Sequence, residues 1–443
     1  MVAFSRATVR ILKGAVSLTS GLPKGLISRR TCRVCGSRHL EPVFTLGNQY
    51  ISNFIDSPTQ ECYVAPLELV LCSRSAGGCG LLQLRHTIPG KVLYRKYWYK
   101  SGVNQTMRKA LADIADRAER LVKPSHGDII VDIGCNDGTL LRSYKSSNIT
   151  LVGFEPAINL IEEAQVGTAK IINDFFNYKS FQKEFGSKKA KIITAIAMFY
   201  DLEDPNQFVD DIVKTLDTDG VWIVQMSYLP AMLQNNAFDN IVHEHLEYYS
   251  LQSLEYLLDM HGLEVFDLEL NDVNGGSFRV YIKHEDCKEY PVSKNVDSIR
   301  EHEKSLDLDD YRTYGAFSKR IRDLRAKTYN FIKKEVEKGK KVYVYGASTK
   351  GNTLLQFYNL DSALIGGAAE KNPSKWGKKT IGTLIPIISE EQARKEKPDY
   401  FLVLPWHFVK EFIVREKDYL DTGGRFIVPL PKFEVLDSSK VER

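Results

Sequence analysis

The stretch that decides the fold reads IIVDIGCNDGTLL and covers residues 129–141. It predicts a buried strand, a glycine-containing turn and the start of a helix. Gly134 and Gly138 permit the tight backbone at which a ligand approaches main-chain N–H groups. The next predicted strand ends in Glu155, 21 positions after Gly134, where a carboxylate accepts both hydroxyls of a ribose. The sequence therefore predicts an α/β domain with a nucleoside-binding turn.

The polar residues of this turn distinguish two classes of nucleoside ligand. It carries Asp132, Asn136 and Asp137 and lacks the third glycine that lets a pyrophosphate sit against a helix. Carboxylates repel a pyrophosphate and suit the cationic methionine end of S-adenosyl-L-methionine, so we predict the methyl donor, with a nicotinamide oxidoreductase as the alternative. Asn173 and Asp174 are candidate adenine contacts or, alternatively, a helix cap beside core aromatics. The predicted cofactor-binding residues are Asp132, Gly134, Asn136, Asp137, Gly138, Glu155, Asn173 and Asp174.

The composition excludes several classes of protein. A chain of 443 residues leaves room for two or three domains. Its 43% hydrophobic and 26% charged residues are typical of a soluble globular protein, and it has no apolar run of about 18 residues that would span a membrane. The net charge of +4 gives no general case for nucleic-acid binding. We expect neither a membrane nor a nucleic acid as a partner, whereas a phosphate-bearing small molecule remains open.

Residues 1–30 form a basic tail, and the first acidic residue of the chain is Glu41. Such a tail suits a transit peptide, although a solvated basic tail is the simpler interpretation. No signal-peptide core with a small-residue cleavage site is evident, so secretion is not expected. We expect a cytoplasmic protein, or a mitochondrial or other organellar one if the tail is a transit peptide. The basic residues of the tail are Arg6, Arg10, Lys13, Lys24, Arg29 and Arg30.

The rest of the chain divides by the pattern of its residues. A turn-rich segment with cysteines covers residues 31–87, and residues 88–284 alternate apolar runs with amphipathic stretches, as βαβ units around a parallel sheet do. Residues 285–310 predict a linker, and residues 311–443 begin with a long helix and repeat the βαβ pattern. We expect a ligand between the two α/β domains. The predicted strands are residues 128–133, 151–154, 192–197, 221–224, 342–345, 400–404 and 425–428.

Four cysteines have the spacing of a metal site. Cys32 and Cys35 form a C-x₂-C pair, and Cys72 and Cys79 form a wider C-x₆-C pair. Four thiolates favour a closed tetrahedral zinc site, which organises a fold and leaves no open position to activate a water. We predict one structural zinc per chain; the alternative is a set of buried free cysteines, and Cys62 is a possible substitute ligand.

The segment FDNIVHEHLEYYS, residues 238–250, concentrates histidines, carboxylates and phenols. The H-x-H spacing of His243 and His245 does not put both imidazoles on one helical face for a metal, unlike H-E-x-x-H. A histidine beside carboxylate and phenol groups acts as a general base near neutral pH. The alternative is a turn that caps a helix starting near Leu251, with the histidines satisfied structurally.

From Cys32 to Leu436 the chain resembles the three-domain sugar C-methyltransferases, which act on nucleotide-linked 4-keto-deoxysugars. The resemblance implies a small zinc-binding N-terminal domain, a central class I methyltransferase domain with a Rossmann-like fold, and a Rossmann-like C-terminal C-methyltransferase domain. It rests on the cysteine spacing and on the motifs at residues 132–141, 153–156 (GFEP), 198–200 (MFY), 243–245 (HEH), 275–279 (GGSFR), 345–353 (YGASTKGNT) and 404–406 (LPW).

The resemblance also implies catalytic roles. The histidine at the position of His245 is taken in that family as the base that removes the proton alpha to the ketone, and Tyr248 or His243 is a candidate donor to the developing oxyanion. One residue departs from the family, because Val242 stands where the sugar enzymes have a tyrosine. Tyr248 or Tyr249 would then supply the phenol, or the substrate would differ.

Two further motifs are candidates for the substrate site. Ser348 and Lys350, after a predicted strand and at the start of a helix, suit the diphosphate of the substrate; the alternative is a vestigial fold without a nucleotide. Gly276, Ser277 and Arg279 suit the sugar pocket, and the alternative is a glycine strand bulge.

Taken with the resemblance, these observations predict a C-methyltransferase of a nucleotide-linked keto-deoxysugar that is a monomer or a homodimer. Three alternatives remain: the same fold acting on another small carbonyl compound, a nicotinamide-dependent oxidoreductase, and a non-catalytic zinc-ribbon or RNA-binding scaffold. The near balance of charges gives the last one little support.

Overall fold

The computed structural model describes residues 20–57, 62–94, 97–168 and 170–441, which fold into three domains with a sheet in each. Residues 1–19, most of the predicted tail, lie outside the described residues, so the expectations about a transit peptide and a compartment stay predictions. Within the described ranges, every helix is too short or too polar to cross a membrane.

The N-terminal domain is a small sheet, antiparallel except for the short parallel pair β1–β5, with a tight cysteine-bearing turn. Its elements are β1 (Ser20–Gly21), β2 (Ile27–Ser28), β3 (Leu40–Tyr50), β4 (Phe54–Ile55), β5 (Cys62–Cys72), β6 (Leu82–Leu84), β7 (His86–Thr87) and α1 (Gly90–Tyr94). Strand β5 is central, since β1, β3 and β6 all pair with it. In the turn that follows β5, a Cβ on Gly78 would lie 2.5 Å from the Sγ of Cys72, so only glycine fits there.

The central domain is a seven-stranded sheet with helices on both faces. Its elements are α2 (Gln105–Val122), β8 (Ile129–Ile133), β9 (Thr150–Phe154), α3 (Ile161–Ala164), β10 (Lys170–Ile172), α4 (Tyr178–Phe185), β11 (Ala190–Ile196), α5 (Pro205–Thr215), β12 (Leu216–Ser227), α6 (Leu229–Gln234), β13 (Glu247–Tyr248), α7 (Leu251–Asp259), β14 (Leu263–Asn271) and β15 (Ser277–His284). The strand order is β10-β9-β8-β11-β12-β15-β14; the first five strands run parallel and the last two pair antiparallel. All five residues of β8 are buried, as the apolar run predicts. Strand β13 belongs to another sheet, described below.

The segment after the glycine turn differs from the prediction. Leu141–Ser143 forms a single 3₁₀ turn, and no α-helix lies between β8 and β9. The carboxylate of Asp137 accepts hydrogen bonds from the backbone N–H and the hydroxyl of Thr139, at 3.1 and 2.6 Å. Such local side-chain bonds compete with helical backbone bonds. The guanidinium of Arg142 donates to the carbonyl of Asp137 at 2.6 Å, so side chains hold this turn where a helix was expected.

The predicted linker contains α8 (Lys294–Lys304). The helix packs on the central domain because its Val296 is buried and its Glu303 accepts hydrogen bonds from the backbone N–H groups of Leu251 and Gln252 at the start of α7. Since Glu303 also accepts from the hydroxyl of Tyr228 at 2.8 Å, this segment is part of the central core.

The C-terminal domain repeats the α/β pattern after a long helix. Its elements are α9 (Tyr311–Glu337), β16 (Val342–Tyr345), α10 (Thr349–Tyr358), β17 (Ala368–Glu370), β18 (Lys379–Thr380), β19 (Ile387–Ser389), α11 (Glu390–Lys395), β20 (Tyr400–Val403), α12 (Val409–Arg415), α13 (Lys417–Asp421), β21 (Arg425–Val428), β22 (Glu434–Leu436) and α14 (Ser438–Val441). The strand order is β19-β17-β16-β20-β21-β22, and every pair is parallel except the last. In both α/β sheets the first strand lies inside the sheet, between the second strand and a later one.

Contacts between the domains join the three sheets. Strand β13 of the central segment extends the sheet of the N-terminal domain by pairing with β6, and β18 of the C-terminal domain pairs with β4. Trp406 donates from its indole Nε1 to the carboxylate of Asp239 at 3.1 Å. A Cβ on Gly275 would lie 2.8 Å from the Trp406 ring, so glycine permits this close approach. The domains therefore pack as one body around the site described next.

Candidate active site

A cavity of about 420 Å³ lies where the carboxyl ends of the central strands face the C-terminal domain. This is the volume range of small-molecule sites, and the carboxyl edge is where open α/β sheets bind ligands. Both α/β domains line it, as does the segment that connects the N-terminal domain to α2. The expected position of a ligand between the two α/β domains coincides with this cavity.

Glu155 forms one end of the cavity. Its two carboxylate oxygens accept the backbone N–H groups of Asn136, at 2.8 Å, and Ala157, at 2.7 Å, while Asn173 donates its amide to the Glu155 carbonyl at 2.7 Å. Burial raises the pKa of Glu155 to about 7. Each oxygen retains a second lone pair, so the carboxylate can accept two hydroxyl groups of a ligand.

Asp132 is the second-last residue of strand β8 and lines the cavity with Glu155. Its carboxylate accepts a hydrogen bond from the hydroxyl of Thr194 at 2.6 Å, and burial raises its pKa to about 7. Gly134, also on the wall, has φ +69°, and a Cβ there would lie 3.2 Å from the side chain of Met198. Because Gly134 has no side chain, its backbone is accessible from the cavity beside the carboxylate of Asp132.

The other predicted cofactor-binding residues lie partly on the cavity wall and partly behind it. Asn136 and Asp174 line the cavity with Asp132, Gly134 and Glu155. Asp137 is fully buried behind the wall, where it accepts the backbone N–H of Gly102 at 2.6 Å, and Asn136 accepts that of Ser101 at 2.9 Å. These two residues therefore hold the connecting segment over the cavity. Gly138 lies against Ala164, and Asn173, which is not part of the cavity wall, donates its side-chain amide to the carbonyl of Glu155.

His245 lines the same cavity, with only 9% of its surface exposed. Its Nδ1 lies 2.8 Å from the carbonyl oxygen of Asn240, and its ring centroid lies 4.3 Å from that of Tyr200. A carbonyl only accepts hydrogen bonds, so Nδ1 carries the proton and Nε2 carries the lone pair of the neutral ring. Burial lowers the pKa of His245 to about 3, with a further contribution from the charge of Lys350. The imidazole is therefore neutral at physiological pH.

Asn240 also fixes a lysine. The ammonium of Lys350, in the first turn of α10, donates to the side-chain Oδ1 of Asn240 at 2.5 Å. Burial lowers the pKa of Lys350, while the nearby carboxylates of Asp239 and Asp201 raise it. His245 and Lys350 are thus bound to the two oxygens of one buried asparagine, although they come from different domains.

The four predicted zinc ligands converge. The sulfur atoms of Cys32, Cys35, Cys72 and Cys79 all lie within 4.8 Å of one another, with Cys32–Cys79 at 3.5 Å and Cys35–Cys72 at 3.4 Å. Sulfur atoms at such distances fit the ligand set of one tetrahedral zinc. Cys62 is not part of this cluster; it packs with Ile55 and Ile381.

Three family models match successive parts of the chain. They are described as "Putative zinc binding domain" for residues 32–94, "Methyltransferase domain" for residues 103–268 and "C-methyltransferase C-terminal domain" for residues 272–431. The C-methyltransferase NovU of Streptomyces niveus is 32% identical over 412 residues, which cover 92% of this chain and 97% of NovU. The chain belongs to the C-methyltransferase family.

This membership confirms the predicted family and fold class and identifies an S-adenosyl-L-methionine-dependent C-methyltransferase with a zinc-binding N-terminal domain. Among solved structures, the plantazolicin methyltransferase BpumL in complex with SAH is 13% identical, covers 40% of this chain and 84% of its own, and has a TM-score of 0.33. An S-adenosylmethionine-dependent methyltransferase from Clostridium acetobutylicum is 12% identical, covers 40% of this chain and 92% of its own, and has a TM-score of 0.32.

Five residues of the C-methyltransferase that were predicted for catalysis or substrate lie outside the cavity wall. His243 contacts the carbonyl of Ala65 through Nε2 at 3.1 Å, and Tyr248 has its hydroxyl 3.5 Å from the Asn240 carbonyl. Arg279 is buried between Asp113 and Glu269, at 2.9 Å from each. Gly276 lies in the turn between β14 and β15, and Ser277 is the first residue of β15, opposite Asn271, so neither forms a strand bulge; a Cβ on Gly276 would lie 2.6 Å from Ala231.

Several wall residues of the C-methyltransferase were not predicted. Tyr94, Tyr97 and Tyr99 line the cavity, and the hydroxyl of Tyr94 donates to the carbonyl of Glu244 at 3.0 Å. Four aromatic residues within positions 94–99 were the available signal, since such density is rare in a connecting segment. Two carboxylates, Asp201 and Glu244, also line the wall, and burial raises the pKa of Glu244 to about 7. One oxygen of each is buried without a hydrogen bond among the described residues.

Proposed function

We propose that this C-methyltransferase acts on a nucleotide-linked keto-sugar and that His245 removes the proton alpha to its carbonyl. The observation that carries the proposal is the hydrogen bond of 2.8 Å from His245 Nδ1 to the Asn240 carbonyl, because it fixes the tautomer with the lone pair on Nε2. Among the described residues Nε2 has no hydrogen-bond partner, and the ring lines the cavity. A neutral, oriented imidazole is the form that a base requires.

The reaction balances without a further reagent. The alpha C–H bond breaks, its proton goes to Nε2 of His245, and its electron pair forms an enolate. The enolate carbon then takes up the methyl group of S-adenosyl-L-methionine as the S–C bond breaks. The products are the methylated ketone and S-adenosylhomocysteine, and the imidazolium returns its proton to water.

The distribution of acidic and basic residues on the two walls supports a substrate with phosphate groups. The central wall carries six carboxylates and one lysine, Lys100, which suits a cationic methyl donor. The C-terminal wall carries four cations and two carboxylates, which suits a diphosphate. The carboxylates of the central wall are Asp132, Glu155, Asp174, Asp201, Asp239 and Glu244. The cations of the C-terminal wall are Lys350, Lys371, Lys375 and Arg415, beside Glu370 and Glu390.

Lys350 is our candidate for stabilising the enolate oxygen. Its ammonium and the His245 ring share Asn240 as a partner, so a ketone that presents its alpha carbon to His245 has its oxygen near a positive charge. A fixed cation at a developing oxyanion lowers the barrier to enolisation. Val242 lines the cavity without a hydrogen-bonding group, and Tyr200, at 4.3 Å from His245 between ring centroids, is the phenol beside the base.

The test uses His245→Gln, labelled S-adenosyl-L-methionine and a panel of nucleotide-linked ketosugars analysed by mass spectrometry. We expect the wild type to methylate at least one sugar and the variant to lose turnover by at least about 10³-fold, as for loss of a general base. Calorimetry is expected to give methyl-donor binding within twofold of wild type. His126→Gln, on an exposed turn, is the matched control.

Unimpaired turnover in His245→Gln would remove the proposed base. Methylation of a small carbonyl compound but of no nucleotide-linked sugar would overturn the substrate class and retain the reaction class.

A further inference from the structure

The loop that carries His245 continues into β13, which is the edge strand of the sheet in the zinc-binding domain. Strand β13, two residues after His245, pairs antiparallel with β6, with Glu247 opposite Gln83 and Tyr248 opposite Leu82. Next to this pair, the backbone N–H of Leu84 donates to the carbonyl of Leu246 at 2.8 Å. The residue that follows His245 is therefore held directly by the N-terminal domain.

A second contact holds the other side of the same loop. Nε2 of His243 lies 3.1 Å from the carbonyl oxygen of Ala65 in β5. The carbonyl only accepts, so this nitrogen is the donor and tethers the ring of His243 to the sheet. His243 is 4% exposed and lies outside the cavity wall. His245 is thus flanked on both sides in sequence by hydrogen bonds to strands of the zinc-binding domain.

Gln83 connects these contacts to the metal ligands. It is fully buried, and its amide nitrogen donates to the Sγ of Cys32 at 3.2 Å. Its amide oxygen accepts from the backbone N–H of Arg33 at 3.2 Å and from the Arg33 guanidinium at 3.1 Å. The same guanidinium donates to the carbonyl of Leu84 at 2.6 Å. The position of β6 therefore depends on the knuckle formed by Cys32 and Arg33.

We propose that the zinc-binding domain positions the catalytic histidine: the metal fixes the Cys32 knuckle, Gln83 transmits its position to β6, and β6 with Ala65 holds the loop of His245. The inference rests on the proposed role of His245 as the base. Gln83 and His243 are positioning residues, since neither lines the cavity. The proposed site of the methyl donor lies elsewhere on the cavity wall, at the turn after β8 and Glu155, so the metal domain is expected to affect turnover and not donor binding.

The first variant is Gln83→Met, which keeps the volume and removes all three hydrogen bonds. Displacement of a base by about 1 Å lowers rates on the order of 10²-fold. We therefore expect kcat to fall about 10- to 100-fold, with KM for the substrate and the dissociation constant of S-adenosyl-L-methionine within twofold of wild type. Hydrogen exchange of the backbone at residues 243–248 is expected to accelerate. Arg38→Ala, an exposed change near the same knuckle, is the control and should leave all four readouts unchanged.

The second pair of variants separates positioning from general stability. His243→Gln places an amide nitrogen near the position of Nε2 and should retain most of kcat, whereas His243→Phe removes the donor and should lose it about tenfold or more. Chelation of zinc from the wild type should accelerate exchange at residues 82–84 and 243–248 and abolish turnover, while donor binding measured by calorimetry persists.

Unchanged kcat and exchange in both Gln83→Met and His243→Phe would overturn the proposal, as would equal kcat in His243→Gln and His243→Phe. If Gln83→Met does not fold, as judged by donor binding, the His243 pair decides. If instead His245→Gln retains turnover, the proposed function fails, and the exchange data alone still test whether the metal holds the loop.

Discussion

Replacement of Glu155 by alanine tests the donor end of the cavity most directly. The side chain is 5% exposed and is held by two backbone N–H groups at 2.8 and 2.7 Å, so its oxygens have fixed positions. In the wild type each oxygen is expected to accept one ribose hydroxyl of S-adenosyl-L-methionine. Alanine removes both acceptors and leaves space for water to bind the two N–H groups.

The magnitude follows from the hydrogen bonds that are lost. A bond to a charged acceptor contributes about 1.5–3 kcal/mol, and replacement by water recovers part of it. Taking about 1.5 kcal/mol for each of the two hydroxyls gives about 3 kcal/mol for the pair. Since 1.4 kcal/mol is a factor of ten, the dissociation constant of the donor should rise about a hundredfold.

Isothermal titration calorimetry with S-adenosyl-L-methionine and S-adenosylhomocysteine measures this change in dissociation constant. Glu162→Ala, an exposed carboxylate on α3, is the control and should bind as the wild type does. A 2′-deoxy analogue of S-adenosylhomocysteine completes a double cycle, because the wild type should lose about tenfold on it and Glu155→Ala should lose almost nothing. A loss below about fivefold in Glu155→Ala, or an equal effect of the deoxy analogue on both proteins, would refute the assignment.

Three other predictions follow from the same geometry. Cys72→Ser should reduce zinc from about one per chain to near zero by metal analysis and lower the melting temperature, because a structural zinc contributes to folding; an unchanged metal content would contradict the site. Asp132→Asn should be more stable than wild type at pH 8 and no more stable near pH 4. The reason is that burial raises the pKa of this acid from 3.8 to about 7, so its ionisation costs stability only as pH rises through that range. The difference, at most about 4 kcal/mol, is measured by denaturant unfolding at the two pH values, and its absence at pH 8 would contradict the buried charge. Lys350→Met should lower kcat by about 10²-fold with donor affinity unchanged, and an effect on donor affinity alone would place the ammonium elsewhere in the reaction.

Seven strands of the two α/β sheets could be predicted because their signal is local. Residues 342–345 and 425–428 are strands with the predicted bounds, and the apolar run at residues 128–133 differs from β8 by one residue. A buried parallel strand needs apolar side chains on both faces, and such a run is visible in any sequence. The four cysteines were likewise predictable from their spacing, since few arrangements of C-x₂-C and a second pair serve another purpose.

The directions of side chains could not be predicted. His243 and His245 are two positions apart in one motif, yet one contacts Ala65 of another domain and the other lines the cavity. Arg279 was a reasonable substrate contact by its charge, but two carboxylates, Asp113 and Glu269, take up its guanidinium. Residue types indicate which chemistry is available, whereas the partner of each side chain depends on tertiary contacts with residues that are distant in the sequence.

The loop that carries His245 belongs to the central domain and is held by contacts with both other domains. It has little regular structure of its own, only the 3₁₀ turn Phe238–Asn240 and the two residues of β13, so its rigidity must come from outside. The N-terminal domain holds it through β6, and the C-terminal domain holds it through Trp406 and Lys350. A base must stay within a fraction of an ångström of its productive position. We therefore expect the central domain alone to bind the methyl donor but to leave the imidazole without a fixed position, and for this reason activity should require all three domains.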